Sequence, residues 1–143
     1  MSAEPRSYTV HIPEFDLHGW LAVDSVHQGM AFGGTRFSLD VTRSEVEELA
    51  RCMSWKLAVH GSPVGGAKAG LCCDPADHRL PELLAAFAQA LEEPLTSHVV
   101  IGKDLGASNE MLDTIYAALG IPQMHVAQRR AGGEGTPDRL RNL

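Results

Sequence analysis

The feature that most constrains this chain is one amphipathic helix set between extended segments. Thr42 and Glu45 have the Thr-x-x-Glu spacing of a capping box, in which each side chain satisfies an orphan backbone N–H at a helix start. Val46, Leu49, Ala50, Met53 and Leu57 then recur at helical period until Gly61 and Pro63 stop the pattern. At about 100° per residue, Lys56 falls at the edge of that apolar stripe, so its ammonium can reach a site beside the core. Ahead of the helix, residues 7–12 (SYTVHI) and 19–26 (GWLAVDSV) are rich in β-branched and aromatic residues and read as strands. A third short strand is expected from Met30 to Phe32, ending at Gly33-Gly34.

Beyond the helix, residues 62–70 (SPVGGAKAG) read as a loop and 71–73 (LCC) as a brief strand. Pro81 suits a first helical position and opens a second helix over residues 81–93. The β-branched run 98–102 (HVVIG) predicts a buried strand that leads into the loop KDLGAS. Ser108 caps a third helix through Leu119, closed by Gly120 and Pro122. Strand and helix alternate, which predicts a single α/β layered domain with a mixed β-sheet flanked by helices. It is expected to occupy residues 1–125, with residues 126–143, glycine-rich and charged, as a hinge-like tail.

Composition narrows the function classes. At 143 residues with 44% hydrophobic side chains, the chain can bury one sizeable core. Its net charge of -6 gives no broad attraction to phosphate backbones or anionic membranes, so neither nucleic acid nor a membrane is an expected partner. No apolar run approaches the ~20 residues of a membrane helix, and the opening MSAEPRSYTV lacks the regions of a secretory signal. A cytoplasmic location is the simplest reading. Cys52, Cys72 and Cys73 make a poor disulfide framework and read as reduced, packed thiols. The seven histidines include no pair at helical ligand spacing, so no metal site is expected.

Two segments place a charged residue among small ones: Pro63 to Gly70, which carries Lys68, and Gly102 to Gly106, which carries Lys103 and Asp104. Glycine lets backbone approach a ligand closely, and a partly desolvated lysine gives up its proton more readily than at the reference value. A nearby aspartate can pass protons, and a second lysine can hold a carboxylate. On spacing alone, a plain turn with solvated charges explains both segments as well. The Lys68 segment has neither the spacing nor the Ser/Thr of a Walker loop, and no Gly-x-Gly-x-x-Gly sits between a strand and a helix.

Four motifs stand in order along the chain: GGTRF (33–37), MSWKLA (53–58), PVGGAKAG (63–70) followed by DP (74–75), and KDLGASNEMLDTI (103–115). Together they resemble the N-terminal, substrate-binding and dimerisation domain of the glutamate/leucine/phenylalanine/valine dehydrogenases, over roughly residues 20–137. The resemblance implies roles for individual residues. Lys56 would bind the substrate α-carboxylate, Lys68 would activate water at the imino carbon, and Asp104 would relay protons to and from the substrate nitrogen. Gly33, Gly34, Gly66 and Met53 would line the pocket. Glutamate-using members carry a lysine just before Gly-Gly, where this sequence has Phe32, so the implied substrate side chain is apolar.

Full-length members add a Rossmann-type domain that holds NAD(P) across a cleft. The expectation here is that no such domain is present and that this chain binds no cofactor alone, NAD(P) entering only if a partner domain supplies it. Oxidative deamination needs a hydride acceptor, which no side chain provides. Three functions are therefore open: the substrate-binding and dimerisation half of a dehydrogenase, working with a separate Rossmann-domain chain or left by truncation; a stand-alone, cofactor-independent enzyme acting on an amino acid or imine; and a non-catalytic binding or assembly module. The implied ligand is an amino acid or its 2-oxo acid. The resemblance also implies a homo-oligomer, formed through the N-terminal strands.

Overall fold

The computed structural model describes residues 4–104 and 106–121; the expected tail at 126–143 lies outside the described residues. Five strands form one mixed sheet: β1 (Arg6–Ile12), β2 (Leu17–Val23), β3 (Ala31–Phe37), β4 (Gly65–Leu71) and β5 (Val99–Lys103), in the order β1-β2-β4-β3-β5. β1 pairs antiparallel with β2 and β2 with β4, whereas β3 runs parallel to both β4 and β5. Four helices cover the sheet: α1 (Arg43–Val59), α2 (Leu80–Ala90), α3 (Glu92–Ser97) and α4 (Asn109–Ala117). This is the α/β domain with a mixed sheet that the sequence predicts. None of the helices described is long and apolar enough to cross a membrane.

Strand alternation divides the packing. On one face Leu17, Leu21 and Val23 of β2 join Leu71, Ile101 and the buried residues of α2 and α4, including Phe87, Leu112 and Ile115. On the other face Ala22 meets Val46 and Ala50 of α1, and Phe32 meets Leu57 and Val100. Tyr116 of α4 is wholly buried, and its hydroxyl accepts from the Ile101 N–H at 2.9 Å. A backbone group of the edge strand β5 is thereby satisfied by a helix.

Three expectations need correction. β3 does not stop at Gly33-Gly34 but continues to Phe37, because Gly33 and Gly34 pair with Ile101 and Gly102 of β5. The glycine-rich segment read as a loop is the central strand β4, buried at all seven positions. Its lack of side chains is what lets α1 lie against it. A Cβ on Gly66 would come 2.2 Å from the Ser54 nitrogen, and one on Gly70 would come 2.5 Å from Val46 Cγ2. Lastly, the helix expected over residues 81–93 breaks at Leu91 into α2 and α3. Pro94 explains the break, since its ring would clash with the carbonyl of residue 90 in a continuous helix.

Thr35 of β3 shares its face with Ala31 and Phe37, fully buried against the larger core. Its Oγ1 has no hydrogen-bond partner among the described residues. Replacing it with valine keeps the shape and removes a desolvated hydroxyl, so Thr35→Val should stabilise the fold by about 1 kcal/mol. Thermal unfolding should shift up by about 4 °C, and an unchanged or lower midpoint would count against this.

Candidate active site

The middle of the sheet brings together residues far apart in sequence. Lys68 lies on β4, not in a loop, and its side chain points to the α1 face of the sheet, opposite Ala67 and Ala69. It is 7% exposed. Asp104 follows the end of β5, and Lys68 Nζ donates to Asp104 Oδ2. The floor beneath this pair is Gly34 of β3. A Cβ there would meet Asp104 Cβ at 2.9 Å and Lys68 Nζ at 3.2 Å, so only a bare backbone leaves the surface open.

Burial pushes the Lys68 ammonium below its usual value; the hydrogen bond and charge of Asp104 oppose this, while the positive charges of Arg36 and Lys56 add to it. Lys56 sits in the last turn of α1 with its side chain exposed. It is close enough for its charge to reach Lys68. Met53, one helical turn earlier, is half-buried and packs with Met30 and Val64 against Phe32, Leu57 and Val100.

Gly33 and Gly66 have packing reasons of their own. A Cβ on Gly33 would fall 1.5 Å from the Ala67 carbonyl oxygen, and Gly66 faces the backbone of α1. They set how closely β3, β4 and α1 approach, while Gly34 borders the charged pair. Ser54 completes the docking of α1: its Oγ accepts from the Gly66 N–H at 3.0 Å and bonds Ser25 Oγ at 2.9 Å.

Sequence reasoning missed Arg36. Its Nε donates to Asp104 Oδ2 at 3.2 Å and its Nη1 donates to Glu45 Oε1. Arg36 was inside the motif GGTRF, but nothing in the sequence ties it to residues 45 and 104. It also missed a cluster in the β1–β2 hairpin. His11 stands opposite His18 across the ladder, their rings stack at 4.5 Å, and Asp16 lies 3.4 Å from His18. Ladder register, not helical spacing, brings those histidines together. All three are exposed, four or more residues along the hairpin from Ala22, the ladder partner of Lys68.

A buried lysine bonded to a carboxylate, over a bare glycine and beside a second lysine, is suited to proton transfer at an amine or imine carbon. Residues 6–119 match the family model described as Glu/Leu/Phe/Val dehydrogenase, dimerisation domain, and the chain belongs to that family. Its sequence is 31% identical over 135 residues to a phenylalanine dehydrogenase of Bacillus thermotolerans, covering 87% of this chain and 35% of that enzyme. Over 57 residues it is 46% identical to a glutamate dehydrogenase of Thermotoga maritima, covering 40% of this chain and 14% of that enzyme.

Solved structures share the fold. The hetero-hexameric glutamate dehydrogenase of Thermus thermophilus, in its Leu-bound form, superposes with a TM-score of 0.70 at 24% identity, covering 96% of this chain and 36% of that one. The L-tryptophan dehydrogenase of Nostoc punctiforme gives 0.71 at 22% identity, covering 80% and 35%. This chain thus spans about a third of the phenylalanine dehydrogenase and of each of these structures.

Proposed function

We propose that this chain is the substrate-binding and dimerisation portion of an amino-acid dehydrogenase that reversibly deaminates an apolar L-amino acid to its 2-oxo acid. One observation carries the reading: buried Lys68, bonded to half-buried Asp104, stands over Gly34, where a small zwitterion can lie against backbone. In this reading Lys56 holds the α-carboxylate by charge-assisted hydrogen bonds. Lys68, its ammonium destabilised by burial, accepts a proton from the water that adds to the imino carbon. Asp104 passes a proton to the substrate nitrogen, which departs as ammonia. Gly33 and Gly66 set the depth of the floor, and Phe32 and Met53 supply an apolar wall that leaves a side-chain carboxylate without a partner.

Enzymes of this kind use NAD(P), which supplies the hydride acceptor when bound. The glycines of β4 do not form its cradle: Cβ positions on Gly65, Gly66 and Gly70 are blocked within 2.5 Å by Ser25, Ser54 and Val46. The cofactor is assigned to a separate domain or chain. In this reading residues 1–125 are the domain and 126–143 its hinge-like tail, with the edge strand β1 as the surface for self-association.

Calorimetric titration tests the site. The full chain is titrated with leucine, phenylalanine, glutamate and their 2-oxo acids, with and without NAD(H), as wild type and as Lys56→Ala. Apolar ligands should bind in preference to glutamate, and Lys56→Ala should weaken them about tenfold or more. Equal binding to both proteins would remove Lys56 from the site. Light scattering on the same samples should show an oligomer; a lone 15.4 kDa species would remove the β1 surface.

A further inference from the structure

Lys68 and Arg36 bond the same oxygen, Asp104 Oδ2. To act on a ligand, Lys68 must let that oxygen go, which takes one of its cations from a carboxylate only 27% exposed. Arg36 has the geometry to stay. Its side chain is 19% exposed, and its guanidinium is spread between Asp104 and Glu45, a fork that a point charge cannot reproduce.

A second, independent observation concerns Glu45. A capping box would turn its carboxylate back to the Thr42 N–H. Thr42 does cap the helix, accepting from the Glu45 N–H at 3.3 Å, but the Glu45 carboxylate reaches out to Arg36. Half of a local stabilising motif is diverted to hold one guanidinium, and such broken local rules mark functional positions.

We propose that Arg36, anchored by Glu45, is a positioning residue that keeps the Asp104 carboxylate in place when Lys68 turns from it to a bound ligand. This rests on the reading of Lys68 and Asp104 as the working pair. The charged groups facing Lys68 are Asp104 after β5, Arg36 on β3 and Lys56 on α1, with Glu45 acting through Arg36. Without Arg36, Lys68 loses a repelling charge and a competitor for Oδ2. Both changes favour its protonated form.

Competitive acetylation of the full chain with acetic anhydride, followed by mass spectrometry across pH, reads this at Lys68, because only the neutral amine reacts. In Arg36→Met the Lys68 midpoint should move up by about one pH unit, a tenfold slower reaction below it. Exposed Lys103 in the same sample serves as the internal reference for the reagent. An unmoved Lys68 midpoint in folded Arg36→Met overturns the proposal. Should that variant not fold, the neutral Arg36→Gln gives the same comparison: a rise in the same direction supports the role, and no rise overturns it. Loss of ligand binding by calorimetry would remove the wider reading while leaving this labelling result standing, so the two failures are separable.

Discussion

Gly33→Ala should leave no stably folded domain. The added methyl would sit 1.5 Å from the Ala67 carbonyl oxygen and 2.3 Å from its carbon, both backbone atoms of the neighbouring parallel strand. No side chain can swing away to relieve the overlap; β3 and β4 would have to part at the centre of the sheet, between Gly34 and Lys68. The expected loss exceeds about 4 kcal/mol, a range reached by few single substitutions. The matched control is Gly29→Ala. Gly29 has φ +75° but nothing within 4 Å of its Cβ position, so alanine there meets only left-handed strain of about 1–2 kcal/mol. Circular dichroism and urea unfolding of the two variants decide the matter, and a Gly33→Ala midpoint near wild type would show that the strands do not approach so closely.

That contrast also explains which parts of the fold the sequence disclosed. α1 and α4 were legible because capping and periodicity are local: Thr42 and Ser108 accept from the N–H groups of Glu45 and Met111, three residues on. β4 was not legible. Gly-Gly-Ala-Lys-Ala-Gly has little strand propensity, and it becomes a strand only because α1 and β3 demand a neighbour without side chains. Local propensity yields there to tertiary packing.

The site divides in the same way. Lys56, Lys68 and Asp104 were singled out through an ordered set of motifs, whereas their spatial relation, with Lys68 inside a strand and bonded to Asp104, came only with the sheet register. Arg36 carried no signal because its two partners are 9 and 68 residues away. Its diverted partner Glu45 looked like an ordinary half of a capping box.

Lys68→Met should separate function from stability. In an enzyme assembled with a nicotinamide-binding domain, turnover is expected to fall by about 10²–10⁴, the usual contribution of a positioned acid–base group. Stability should not fall in parallel, since methionine fills similar space, Arg36 remains bonded to Asp104, and the cost of a buried ammonium disappears. The pH dependence supplies the sharper test. Burial lowers the folded-state value of Lys68, while in the unfolded chain it returns to about 10.4. Between those two values the unfolded chain holds more protons at this residue than the folded one, so its contribution to stability rises with pH through that window and is flat on either side. Wild type should therefore gain on Lys68→Met in urea midpoint as pH climbs toward 10.4. A level difference curve would mean that Lys68 titrates as in the unfolded chain, and a falling one that folding raises its value; either would show that it is not the desolvated base that the site requires.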